Sequence, residues 1–115
     1  MKHILLVCST LAVSTSSASA EEKKLTGPEI TAVLTDKILT AKTDTTQIFQ
    51  KSGVTFYSEN GGQSQGFWKV EGDKYCSQWP PNQSWPCYDI LQDGTKITFV
   101  SESGKRFEMQ LPAAP

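Results

Sequence analysis

Cys76 and Cys87 enclose the most distinctive stretch of the chain, Cys76-Ser77-Gln78-Trp79-Pro80-Pro81-Asn82-Gln83-Ser84-Trp85-Pro86-Cys87. Two thiols can ligate a metal, act as a redox pair or close a disulfide. Zinc needs further thiolate or imidazole ligands, and a redox pair is ordinarily C-x-x-C. The spacing therefore predicts a structural disulfide, which would stabilise a loop of this size by roughly 3 kcal/mol in the chain-entropy model. Inside the loop, proline fixes φ, so little entropy remains to be lost on binding. Tryptophan is a frequent interface anchor. Trp79, Pro80, Pro81, Asn82 and Trp85 thus form a candidate recognition loop. The competing expectation is that both indoles fold back over an open end of a sheet. Tyr57, Trp68 and Tyr88 lie in β-rich stretches and are the candidate lining of a ligand cavity, unless they simply pack a core, which Trp68 is best placed to do.

The remaining chemistry is restricted. Met1-Lys2-His3 is a short positive start, Ile4 to Val13 is mostly apolar, and Ala18-Ser19-Ala20 has the small-x-small form of a cleavage site. That order is the pattern of a secretory signal peptide over residues 1–20. It implies a periplasmic protein or, alternatively, a secreted one. The only histidine, His3, lies in that segment, and so does Cys8. Without histidine the usual general base, the Ser-His and Cys-His constellations and imidazole metal sites are missing. The acids mostly sit in turns (Glu59, Glu71, Asp73, Asp93, Glu102), where carboxylates are ordinarily solvated. No phosphate-binding glycine loop occurs. The expectation is a protein that is not an enzyme, with no cofactor and no metal.

All 12 acidic residues and 10 of the 11 basic ones follow position 20, a net charge of −2. That balance speaks against nucleic acid as a partner. No later stretch approaches the roughly 18 apolar residues of a membrane helix, so no membrane insertion is expected.

These residues need a scaffold. Residues 21–24 are charged and read as a flexible tail, leaving residues 25–112 as a single β-rich domain. Thr26-Gly27-Pro28-Glu29 is a capping box with proline in the first turn, flanked by Leu25 and Ile30 as a hydrophobic staple. It predicts a short N-terminal helix over about 27–36. After Asp36 the period changes to two. Strands are expected near 37–42, 47–50, 54–58, 66–70, 74–78, 87–91, 96–100 and 106–111. Asn60-Gly61, Gly72-Asp73, Asp93-Gly94 and Ser103-Gly104 are turn dipeptides. Gly61-Gly62 and Gly66 read as hairpin punctuation. Phe107, Met109 and Leu111 share one face of the last strand. The fold class is mainly β: the helix, then an antiparallel up-and-down meander forming a curved sheet or small barrel, with one disulfide.

The arrangement Leu25-Thr-Gly-Pro-Glu-Ile30, Gly66-Phe-Trp-Lys-Val-Glu-Gly-Asp73, Tyr75-Cys76 and Cys87-Tyr88 resembles small exported proteobacterial proteins of unassigned activity. More loosely, the meander is similar to calycin-like barrels and to periplasmic lysozyme inhibitors. These motifs specify a fold more than a function, and with catalytic chemistry missing the expectation is a binding role. The first expectation is recognition or inhibition of a protein partner, in the cell envelope or outside the cell, through the Trp-Pro loop. The alternatives are a carrier of a small apolar or saccharide ligand in a barrel mouth, and a structural or stress protein of the envelope.

Intact-mass analysis of exported protein is expected to begin at Glu21, with no titratable thiol after unreduced denaturation. A retained Met1 or a free Cys87 would contradict these expectations.

Overall fold

A computed structural model describes residues 22–42 and 44–113. The expected signal segment lies outside the described residues. A two-residue strand, β1 (Lys23–Lys24), precedes the helix α1 (Gly27–Leu34). Eight strands follow: β2 (Ile38–Ala41), β3 (Thr45–Phe49), β4 (Val54–Glu59), β5 (Gly62–Glu71), β6 (Lys74–Gln78), β7 (Cys87–Asp93), β8 (Lys96–Ser101) and β9 (Arg106–Gln110). From β2 to β9 every strand pairs antiparallel with the next. β9 then returns to β2 through the pair Thr40↔Gln110, and the meander closes as an eight-stranded barrel.

Turn chemistry accounts for the reversals. Asn60 and Gly61 have φ of 53° and 87° between β4 and β5, the left-handed values that a two-residue hairpin demands and that Asn-Gly tolerates. Strand alternation sorts the side chains. Leu39, Phe49, Trp68, Tyr75, Ile90, Ile97 and Phe99 are buried inside.

Lys23 and Lys24, expected in a flexible tail, instead pair with Gln92 and Leu91 of β7. The reason is geometric. β6 covers only Cys87 and Tyr88 of that edge, so the rest of β7 offers free backbone groups, and β1 takes them.

The capping box forms as expected. Thr26 N–H donates to Glu29 Oε1 at 2.9 Å, and Glu29 N–H donates to Thr26 Oγ1 at 3.4 Å. Gly27 N–H donates to Asp73 Oδ1 at 2.7 Å, which docks the helix start on the β5–β6 turn. Only glycine fits there, since a Cβ on Gly27 would sit 2.2 Å from the Gly72 carbonyl oxygen. The helix ends two residues earlier than its spacing predicts. Asp36 takes φ of 60° and gives its N–H to the Phe49 carbonyl at 2.6 Å. Ile30 and Leu34 are fully buried against the strand side chains, so α1 plugs the end of the barrel that carries the 50–53 and 72–73 turns.

Two carboxylates tie this end together. Lys23, 2.8 Å away, and the Thr26 N–H hold Glu29 well below its ordinary 4.5, at about 2. Lys74, at 2.7 Å, holds Asp89 below its ordinary range. A depressed carboxylate stabilises the fold above its unfolded pKa and loses that contribution as pH falls toward its folded value. Stability is therefore expected to decline from about pH 4.5 down to about 2. Glu29→Gln, which keeps the cap but not the charge, should flatten that decline in acid melting curves. An unchanged slope would contradict the assignment.

Candidate functional site: an aromatic cavity at the barrel mouth

The end opposite α1 is open. It carries the β2–β3, β4–β5 and β8–β9 turns and the Cys76–Cys87 loop. Behind it lies a cavity of about 800 Å³. Its walls come from alternate residues of successive strands: Thr45 and Gln47 of β3, Tyr57 of β4, Tyr75 and Ser77 of β6, Tyr88 of β7, Phe99 of β8, Phe107 and Met109 of β9. Trp79 and Pro80 stand at its rim.

The rings are in contact. Tyr75 lies 5.2 Å from Phe99 and 5.9 Å from Tyr88, centroid to centroid, and Tyr88 lies 6.4 Å from Phe107. Beneath them Tyr75 also meets Phe49 at 5.8 Å and Trp68 at 6.2 Å. This layer separates the cavity from the plugged end. The Tyr75 hydroxyl accepts from Gln47 Nε2 at 3.4 Å, and burial pushes its phenol above the ordinary 10. Burial and the neighbouring Glu59 raise Tyr57 in the same direction.

The candidate residues part company. Tyr57 and Tyr88 line the cavity, but Trp68 does not. Its indole N–H donates to the Gln50 carbonyl at 2.8 Å, which turns the ring toward the plugged end and buries it. Trp79 is half-buried at the mouth, edge-on to Tyr57 at 6.4 Å, and its N–H donates to Ser77 Oγ at 3.2 Å. Trp85 lies on the outer wall, with Lys69 Nζ 4.3 Å from its ring centroid. Pro80, Pro81 and Asn82 are exposed. The loop thus supplies one indole to the mouth and one to the outside, with an exposed tip between them.

Gly66 has a different role from the turn marker it resembles. It lies within β5, and a Cβ there would meet the Trp79 ring at 2.6 Å. Gly66 is the notch that seats Trp79. Gln47, Phe99 and Met109 were not legible as a site. Their inward parity shows only once the register is known. Phe107, expected to share a core face with Met109, is 47% exposed at the mouth.

Cys76 and Cys87, directly opposed on β6 and β7, form the disulfide. Among the described residues the one group of potential metal ligands is Glu71 with these two cysteines. Both sulfurs are consumed by the bridge, so no thiolate is left to bind an ion. Comparison with family models, curated proteins and solved structures gives no match.

The three indoles should separate experimentally. Trp68→Ala is expected to cost about 3–5 kcal/mol of stability. Trp85→Ala, which removes a half-buried ring and its cation–π contact on the outer wall, should cost about 1 kcal/mol. Thermal melts of the two variants check the order, and equal losses would contradict it.

Proposed function

We propose that this protein is a non-enzymatic, small-molecule-binding barrel whose ligand sits in the mouth cavity. The observation that carries the proposal is the cavity itself. Its volume falls within the roughly 300–1,000 Å³ typical of ligand sites, and such sites are mostly apolar with a few placed polar groups. Rings from Tyr57, Trp79, Tyr88, Phe99 and Phe107 and the hydroxyls and amide of Thr45, Gln47 and Ser77 fit that description. Binding rather than catalysis is supported by the same walls, whose buried polar side chains are Thr45, Gln47 and Ser77, while the carboxylates of Glu59 and Glu108 are exposed. The disulfide supports export to an oxidising compartment, periplasmic or extracellular.

A protein partner remains the second reading, favoured by the exposed Pro80-Pro81-Asn82 tip on a loop tied at both ends. Such a partner would meet the rim, and inhibition of an enzyme would follow if the loop entered its cleft.

Titration with N-phenyl-1-naphthylamine, a neutral fluorescent probe, tests the first reading. Saturable binding with energy transfer from tryptophan is expected. Ser64→Trp, at an exposed mouth position, should block the probe without lowering the melting temperature. Absence of binding to the wild type, or binding indifferent to Ser64→Trp, would overturn it.

A further inference from the structure

We propose that the cavity selects a neutral ring compound bearing one hydrogen-bond donor, an O–H or N–H that docks on Gln47 Oε1. This rests on the small-molecule reading above and specifies its ligand class.

Gln47 is a polar side chain on the inward face of β3 and only 7% exposed. Its amide orientation is determined by its neighbour. Thr55, completely buried, gives its single hydroxyl proton to the Ile48 carbonyl at 2.8 Å. Thr55 Oγ1 can then only accept, so the group facing it at 3.0 Å must be the Gln47 nitrogen. The same nitrogen reaches the Tyr75 hydroxyl at 3.4 Å. With the nitrogen turned to these two, Oε1 points away from them and has no hydrogen-bond partner among the described residues. Nor is it among the polar atoms sealed from solvent, where Thr98 Oγ1 stands. Gln47 borders the cavity, so the opening onto Oε1 is the cavity. In the free protein water in the cavity can meet Oε1, and a donor on a ligand would take that water's place.

The other walls define the rest of the molecule. Tyr88, Phe99, Phe107 and Met109 present rings and a thioether, surfaces for a flat apolar body. Charge is confined to the rim and balanced in sign. Arg106 pairs with Glu22, and Glu108 lies 3.7 Å from Lys96. Among the described residues no buried cation or anion awaits a carboxylate, phosphate or ammonium. A saccharide would bring many hydroxyls to a wall whose buried polar side chains are Thr45, Gln47 and Ser77.

Calorimetric titration of the wild-type protein with 2-naphthol, 2-methoxynaphthalene, 2-naphthoate and methyl glucoside provides the test. The first two differ in the donor, the third adds charge and the fourth is a sugar. 2-Naphthol is expected to bind about tenfold tighter than 2-methoxynaphthalene, the scale of one neutral hydrogen bond. The naphthoate and the glucoside should bind more weakly still. Gln47→Leu should bring naphthol to within about twofold of its methyl ether. Should that variant fail to fold, the wild-type series decides alone. Equal affinities of naphthol and its ether, or tightest binding by the naphthoate or the glucoside, would overturn the ligand class while leaving a small-molecule site. Binding by none of the four would overturn the small-molecule reading itself.

Discussion

Unpaired strand edges are the constraint on which this structure turns. Each exposed edge presents backbone donors and acceptors that must be satisfied by water, by another chain or by the sheet itself. Here the last strand returns to the first of the barrel at Thr40↔Gln110, and β1 covers the part of β7 that β6 does not reach. Closure then dictates the interior. With both edges joined, inward residues of all eight strands converge on one axis, and what they enclose depends only on their size.

The interior is filled unevenly. Ile30 and Leu34 of the helix enter from one end and meet Leu39, Phe49, Ile90 and Ile97. An aromatic layer of Phe49, Trp68, Tyr75 and Phe99 seals the middle. Beyond it no second plug follows among the described residues, and Thr45, Gln47 and Ser77 line the space together with the rings of Tyr57, Tyr88 and Phe107. An eight-stranded barrel is just wide enough to be filled by side chains or to hold one small ligand; this one does each in a different half. The polar chain from Ile48 through Thr55 and Gln47 to Tyr75 lies at the boundary between the halves.

Local features were legible in the sequence, and features that depend on distant partners were not. The capping box at Thr26 and Glu29, the Asn60-Gly61 hairpin, the strand positions and the Cys76–Cys87 bridge follow from nearest-neighbour chemistry, and the structure contains each of them. Whether the meander closed could not be read, because closure rests on one residue pair separated by 70 positions. The role of β1 depended on where β6 stops. Trp68 was named for the cavity but better placed for the core, and the bond from its indole to the Gln50 carbonyl turns it toward the plug. Gly66 was indistinguishable from a turn residue because what it accommodates, the Trp79 ring, arrives from the following hairpin. Tyr57 and Tyr88 could be named as candidate lining because each lies in a stretch of period two, but that both face inward, from β4 and β7, follows only from the register.

The disulfide has a mechanical consequence. Between consecutive barrel strands the ladders run to four or more register pairs, except for β6–β7, which has two. That ladder is the one joined covalently, at the very pair Cys76↔Cys87. Of the two ladders with fewest pairs, one is therefore closed by a covalent bond, and β2–β9, with its single pair Thr40↔Gln110, is the seam left to backbone bonds alone. A barrel opened along that seam would be a curled ribbon with its covalent joint near the middle.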